Sequence, residues 1–320
     1  MTSTPSLSAL AYLETHADRF LHELKDWCKI PSVSSIASYK ADMQLAAEYG
    51  AQQLRAAGLD KVAVVPTAGH PVVYGEWLEA GPERPTVLLY GHYDVQPALD
   101  ASEWKSPPFK PVVRGKRLYG RGASDMKGQT MAEIKALEAV LKTEGKLPVN
   151  IKFIIEGEEE IGSRNLRGFI NDNKARLACD YALNPDAGMC AEGQPSITYG
   201  LRGGVRIDLT VTGPETDVHS GTFGGALHNP ALALSALIAG MYDKDGRITL
   251  PGFYDKVRPL TEEEHAMLAR LPIDDKFFKQ ATNVPELWGD PDFTPYERTT
   301  VRPTLEVLAF HAGMAGEGVL

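Results

Sequence analysis

The chain has 320 residues, 43% of them hydrophobic, with a net charge of −9. That length allows about two domains around a buried core, and the acidic balance offers no Lys/Arg cluster to a phosphate backbone, which excludes nucleic acid as an expected partner. No apolar run reaches the roughly 18 to 20 residues of a membrane span, and no basic-then-apolar leader opens the chain. Cys28, Cys179 and Cys190 lack CxxC or CxxH spacing, so reduced thiols and a cytoplasmic protein are expected.

Leu7, Leu10, Leu13, Phe20, Leu21 and Leu24 recur at helical spacing and predict a helix from about Ser6 to Lys29, ended by Ile30-Pro31. A second amphipathic helix is predicted from Asp42 to Ala57, stopping at Gly58. Strands follow at Val62 to Val65, Val72 to Trp77 and Thr86 to Tyr90, the last an apolar run of the central, buried kind. A long polar loop, Asp94 to Tyr119, precedes a helix over Gln129 to Lys142, a strand over Val149 to Ile155 and a helix over Asn165 to Ala178. This alternation predicts an α/β fold, a mostly parallel sheet with helices on both faces. Ser196 to Tyr199 and Val205 to Val211 then alternate apolar and polar residues as half-exposed strands should, and Asn229 to Met241 reads as an apolar helix. A boundary near Gly200 to Gly204 gives a first domain of residues 1–202 and a partial α+β lid of residues 203–320.

Several hydrophobic runs end in metal-ligand side chains. VLLY leads into Gly91-His92-Tyr93-Asp94, IKFII into Glu156-Gly157-Glu158-Glu159-Glu160, and YAL into Asn184-Pro185-Asp186, while Gly120 to Asp125 opens a helical segment. The carboxyl ends of parallel strands converge on one crevice, and one imidazole among several carboxylates suits divalent metal ions. Plainer readings exist: a His-x-Asp pair on the surface, a solvated glutamate run, an N-cap for Asp125, a turn residue for Asp186, a loop histidine for His219. Against them, an acidic triplet directly after a buried apolar run is costly unless cations compensate it.

The segments GHYDVQP, LYGRGASDMKG, EGEEEIGS, SITYGLRGG and DVHSGTFGG, in that order, resemble the dinuclear metallopeptidase family of carnosine dipeptidase, aminoacylase and succinyl-diaminopimelate desuccinylase, nearest its carnosinase-like branch. The resemblance extends to about Pro303. It implies two divalent ions, zinc first and manganese or cobalt otherwise, with His92, Asp125, Glu160 and Asp186 as ligands and Asp125 bridging both. Asp94 would orient His92 from behind. The resemblance implies a cis peptide between Asp125 and Met126. Glu159 would be the general base for amide hydrolysis of a dipeptide or similar small substrate. His219 would reach the active site of a partner subunit, in a homodimer formed through the lid, and stabilise the oxyanion. Glu158, His228 and the three cysteines are read as structural or surface residues. Family members continue beyond the lid with a further metal-binding histidine, whereas this sequence stops at Leu320; His311 belongs to the lid by order and is not assigned as a ligand. The competing expectation is a truncated, impaired homologue that keeps only partial metal binding or a dimer contact.

Overall fold

The computed structural model describes residues 7–313. The start expected for the first helix, Ser6, and the tail from Met314 lie outside the described residues. The chain divides into two compact units, with the boundary between Gly188 and Met189.

In the first unit, α1 (Leu7–Thr15), α2 (Ala17–Cys28) and α3 (Lys40–Ala57) precede β1 (Asp60–Val65), β2 (Val72–Trp77) and β3 (Thr86–His92). A small hairpin of β4 (Val112–Arg114) and β5 (Arg117–Tyr119) follows, then α4 (Lys127–Glu144), β6 (Asn150–Glu156), α5 (Leu166–Asp172), α6 (Lys174–Leu177) and β7 (Tyr181–Leu183). The five-stranded sheet runs β1-β2-β6-β3-β7. β6 and β7 are parallel to β3, while β1 with β2 and β2 with β6 are antiparallel. The α/β class and the mostly parallel sheet are as expected: β1, β6, β3 and β7 run one way, and β2 alone runs against them, which makes the sheet mixed. Its parallel part, β6-β3-β7, is the part that carries the site.

Every residue of β6 is buried, which explains why apolar residues face both sides of it, Ile151, Phe153 and Ile155 on one and Ile154 on the other, with the Lys152 ammonium satisfied by the Ala178 carbonyl. Phe153 and Ile155 face Trp27, Met43, Leu54 and Ile134 of the helices α2, α3 and α4. On the opposite face Ile154 packs with Val72, Tyr74, Phe169 and Leu177. Truncating fully buried Phe153 to alanine would cost about 3 to 5 kcal/mol through lost burial and the cavity left behind.

Two predicted helices are each broken once, at a residue whose side chain adds a second bond to the carbonyl four residues back while the regular backbone bond is kept. The ring of His16 contacts the carbonyl of Tyr12 at 2.9 Å and separates α1 from α2; the amide of Asn173 donates to the Phe169 carbonyl at 2.9 Å and separates α5 from α6. The stop at Gly58 holds: its φ of 101° is left-handed, and the Leu59 amide reaches back to the Leu54 carbonyl. The long loop after Asp94 contains the hairpin β4–β5, which turns through Gly115 at φ 60°.

In the second unit, α7 (Ser220–Phe223), α8 (Pro230–Ala239), α9 (Glu262–Leu268), α10 (Asp275–Thr282) and α11 (Pro295–Thr300) are joined by irregular chain. α8 is the helix expected there, capped by the Asn229 side chain on the amides of Ala231 and Leu232, with Pro230 in its first turn. The strands expected over Ser196 to Tyr199 and Val205 to Val211 do not form. Alternation signals a surface with one covered face, and these residues have no such cover: Ile197 is 91% and Val205 85% exposed.

Candidate metal centre

Parallel pairing sets His92, the last residue of β3, beside Glu156, the last residue of β6, so the two following loops leave the sheet at one level. The His92 ring is fully buried, as is Asp94 two positions on. Nδ1 of His92 lies 3.0 Å from the Asp94 carbonyl and 3.3 Å from its Oδ1. Both neighbours are acceptors, so Nδ1 carries the proton and Nε2 faces outward. Nε2 meets Asp125 Oδ1 at 3.1 Å, Asp186 Oδ2 at 3.6 Å and Glu159 Oε2 at 3.9 Å.

Asp94 also orders the glutamate loop. Its Oδ1 accepts from the Glu159 amide at 3.2 Å and its Oδ2 from the Glu160 amide at 3.1 Å. One carboxylate thus fixes the tautomer of His92 and the backbone of the two acids opposite. Gly157 is required here, because a Cβ at that position would lie 2.2 Å from the Tyr93 hydroxyl.

Four of the residues singled out from sequence meet around His92: Asp94, Asp125, Glu159 and Asp186. His92, Glu159 and Asp186 can each place a ligand atom within 4.8 Å of the others'. Glu160 is in the same loop, with Oε2 accepting from Gln96 Nε2 at 2.9 Å. The peptide bond between Asp125 and Met126 is cis. The N-cap position of α4 is Met126, without a side-chain cap, so the capping role open to Asp125 is not used. The turn before Asp186 is made by Asn184, whose Oδ1 accepts from the Asp186 amide, leaving the Asp186 carboxylate for His92. His219 lies in the second unit, where its Nδ1 accepts from the Gly221 amide as the N-cap of α7. His311 is exposed in that unit.

Two contributors, Gln96 and Glu156, were given no role in the sequence reading, and a third, Glu158, is the structural residue it was read as. Gln96, two residues past Asp94 in the GHYDVQP segment, holds Glu160 by its carboxylate and its carbonyl. Glu156 accepts from Tyr90 and Ser163, tying β6 to the end of the glutamate turn. Glu158, read as structural, is bonded by the His70 amide and by the backbone and side chain of Asn165, and so clasps the same turn from outside.

The charges of the site fit a divalent ion. Burial raises Glu159, Glu160 and Asp186 above the ordinary carboxylate range, and neighbouring carboxylates add to the rise, with His92 opposing it. Burial disfavours protonated His92, but the hydrogen bond and charge of Asp94, with Asp186 and Glu159 behind it, outweigh that and push it up to about 9. Asp94 holds the Nδ1 proton, and Nε2 is left facing Asp125, Glu159 and Asp186. A divalent cation bound at Nε2 among these carboxylates would supply the positive charge the acids lack.

The model for peptidase family M20/M25/M40 matches residues 88–305. The chain is 36% identical over 294 residues to a human Beta-Ala-His dipeptidase, covering 87% of this chain and 58% of that protein. It is 31% identical over 319 residues to the Cys-Gly metallodipeptidase dug1 of Schizosaccharomyces pombe, covering 96% and 67%. Among solved structures, the M20 family metallo-carboxypeptidase Sso-CP2 from Sulfolobus solfataricus superposes with a TM-score of 0.76 at 34% identity, over 94% of this chain and 67% of that one. The chain spans under two thirds of the length of the human relative.

Proposed function

The chain belongs to peptidase family M20/M25/M40, and from that premise we propose that it hydrolyses the peptide bond of dipeptides or similar small substrates with the aid of two divalent metal ions. The observation that carries this reading is the outward Nε2 of His92 facing Asp125, Glu159 and Asp186 within 3.9 Å. His92, Asp125, Glu160 and Asp186 would hold the ions, zinc first and manganese or cobalt otherwise. When bound, such ions polarise a carbonyl and acidify water.

Glu159 is the general base. Its carboxylate is partly buried, desolvation and its acidic neighbours strengthen its hold on a proton, and it would take a proton from water and return it to the leaving amine. Asp94 holds Glu159 by its amide and keeps Nδ1 of His92 protonated. Gln96 steadies Glu160. His219 would steady the oxyanion in a neighbouring subunit of a homodimer formed through the second unit. Peptide substrates are supported by the names of two relatives, a Beta-Ala-His and a Cys-Gly dipeptidase. Three free cysteines suit the cytoplasm, and no described helix is long and apolar enough to cross a membrane.

The test is a dipeptide panel that includes β-Ala-His and Cys-Gly, offered to protein loaded with Zn²⁺ or Mn²⁺. Turnover of at least one member, lost in Glu159→Gln while the ions stay bound, is expected. Ions bound with no member cleaved would favour the impaired homologue instead.

A further inference from the structure

Residues 30–34, between α2 and α3, bond directly to two of the loops that carry candidate ligands and reach a third, the glutamate turn, through His70. Ser32 is fully buried. Its Oγ donates to the Tyr93 carbonyl at 2.6 Å and its own carbonyl accepts from the Val95 amide at 2.9 Å, so it grips the His92–Asp94 turn at two points. The Ile30 carbonyl accepts from Lys127 Nζ at 2.9 Å, two residues after Asp125. The Ser34 carbonyl is 3.2 Å from Nε2 of His70, whose amide donates to Glu158 beside Glu159.

Lys127 is the unexpected member. Its side chain is fully buried, and its bonds go to two carbonyls, Trp27 at 3.1 Å and Ile30 at 2.9 Å. Burying an ammonium is expensive without an anion beside it, although the carbonyl end of a helix, here α2, offers partial compensation. The carbonyls do not need the lysine: Trp27 already accepts from the Ile30 amide and Ile30 from the Ser32 amide. An apolar side chain could fill the space at less cost. What the ammonium adds is a directed link from the Asp125 loop to residues 30–34. The loops also touch directly, since a Cβ on Gly122 would lie 2.9 Å from Val95 and 3.3 Å from the Lys127 stem.

We propose that residues 30–34 are a positioning strap that holds the His92–Asp94 turn and the Asp125–Lys127 turn in one register, with Ser32 and Lys127 as its two fastenings. The purpose of the strap rests on the metal-centre reading, but its geometry does not.

The experiment therefore has a metal-free arm and a metal arm. In metal-free protein, amide hydrogen exchange is followed for Ser32→Ala and Lys127→Met. Each variant is expected to speed exchange by about tenfold or more in both turns, the one it touches and the one it does not. In the second arm, Co²⁺ affinity is expected to fall about 10- to 100-fold in either variant with a changed visible absorption spectrum. Lys135→Met is the control: Lys135 is a buried lysine on the same helix, bonded to Gln53 and Glu138. It should lower the melting temperature yet leave the Co²⁺ spectrum as it is. Exchange changes confined to the substituted turn, or a Co²⁺ affinity and spectrum equal to wild type in Ser32→Ala, would overturn the strap. If wild type takes up no Co²⁺ the metal reading fails instead, and the exchange pattern alone decides the strap. Should Lys127→Met not fold, the milder Ser32→Ala carries both arms.

Discussion

A carboxylate that receives two backbone amides and braces an imidazole has almost no freedom left, and Asp94 does all of this while fully buried. Asparagine keeps its shape but replaces one acceptor oxygen with a donor, so in Asp94→Asn one of three partners must face a like group. Metal affinity should fall about 10- to 100-fold, measured by competition with a chelator; an unchanged affinity would reduce Asp94 to a structural residue. The neighbouring acids separate by a different measurement. Glu160→Gln is expected to drop the metal content from two ions per chain to one, whereas Glu159→Gln should keep both and lose turnover. At this scale the sequence was informative wherever a side chain acts close to its own segment, as His92 and Asp94 do. Ser32 and Lys127 were invisible because their partners are backbone carbonyls far away in the chain, and a carbonyl leaves no mark in residue type. Gln96 could have been found, since it sits two residues beyond Asp94 on the same exit from β3.

Elements are joined on the helical side by one acid. Glu138 of α4 bonds Tyr12 of α1, Arg19 of α2 and Lys135 of its own helix, with its side chain 3% exposed. Burial works against its charged form, but the bonds from Arg19 and Lys135 outweigh that and hold its pKa below the ordinary value. A depressed carboxylate stabilises the fold fully above its unfolded pKa of about 4.3, and that contribution drains away as pH falls through the lower folded value. Glu138→Gln should cost about 2 to 4 kcal/mol at pH 7, less than a wholly buried pair because Arg19 is partly exposed. The gap between variant and wild type should begin to narrow as pH falls past the unfolded value and close once pH is below the depressed folded value, which urea titrations at several pH values would show; a constant gap would mean the charge is irrelevant. Elements were legible where one rule governed them: β6 from its apolar run IKFII, interrupted only by Lys152, and α3 from its left-handed stop at Gly58. They were misread where the pattern presumes a neighbour. The alternation over Val205 to Val211 is a statement about a covered face, and with Val205 and Ile207 at 85% and 74% exposure no ladder forms.

For the whole molecule, the division into two units separates the proposed metal centre from the proposed oxyanion residue, His92 with its carboxylates in the first and His219 in the second. Ligands that bind only the folded state stabilise it by mass action, about 2.7 kcal/mol at a hundred times the dissociation constant. The ions should therefore act on the first unit's melting, and the tryptophans report it unevenly: Trp27, Trp77 and Trp104 belong to that unit and Trp288 to the other. Trp27 is fully buried in the core beneath α3, whereas Trp288 is 67% exposed, so the fluorescence change on melting is dominated by the first unit. Adding Zn²⁺ should raise that transition by several degrees, and a chelator should reverse the shift. In His219→Ala the shift should persist undiminished while turnover falls by about 10²- to 10³-fold, the loss expected when one oxyanion donor is removed. A diminished shift in that variant would place His219 among the ligands, and an unaltered turnover would remove it from the reaction.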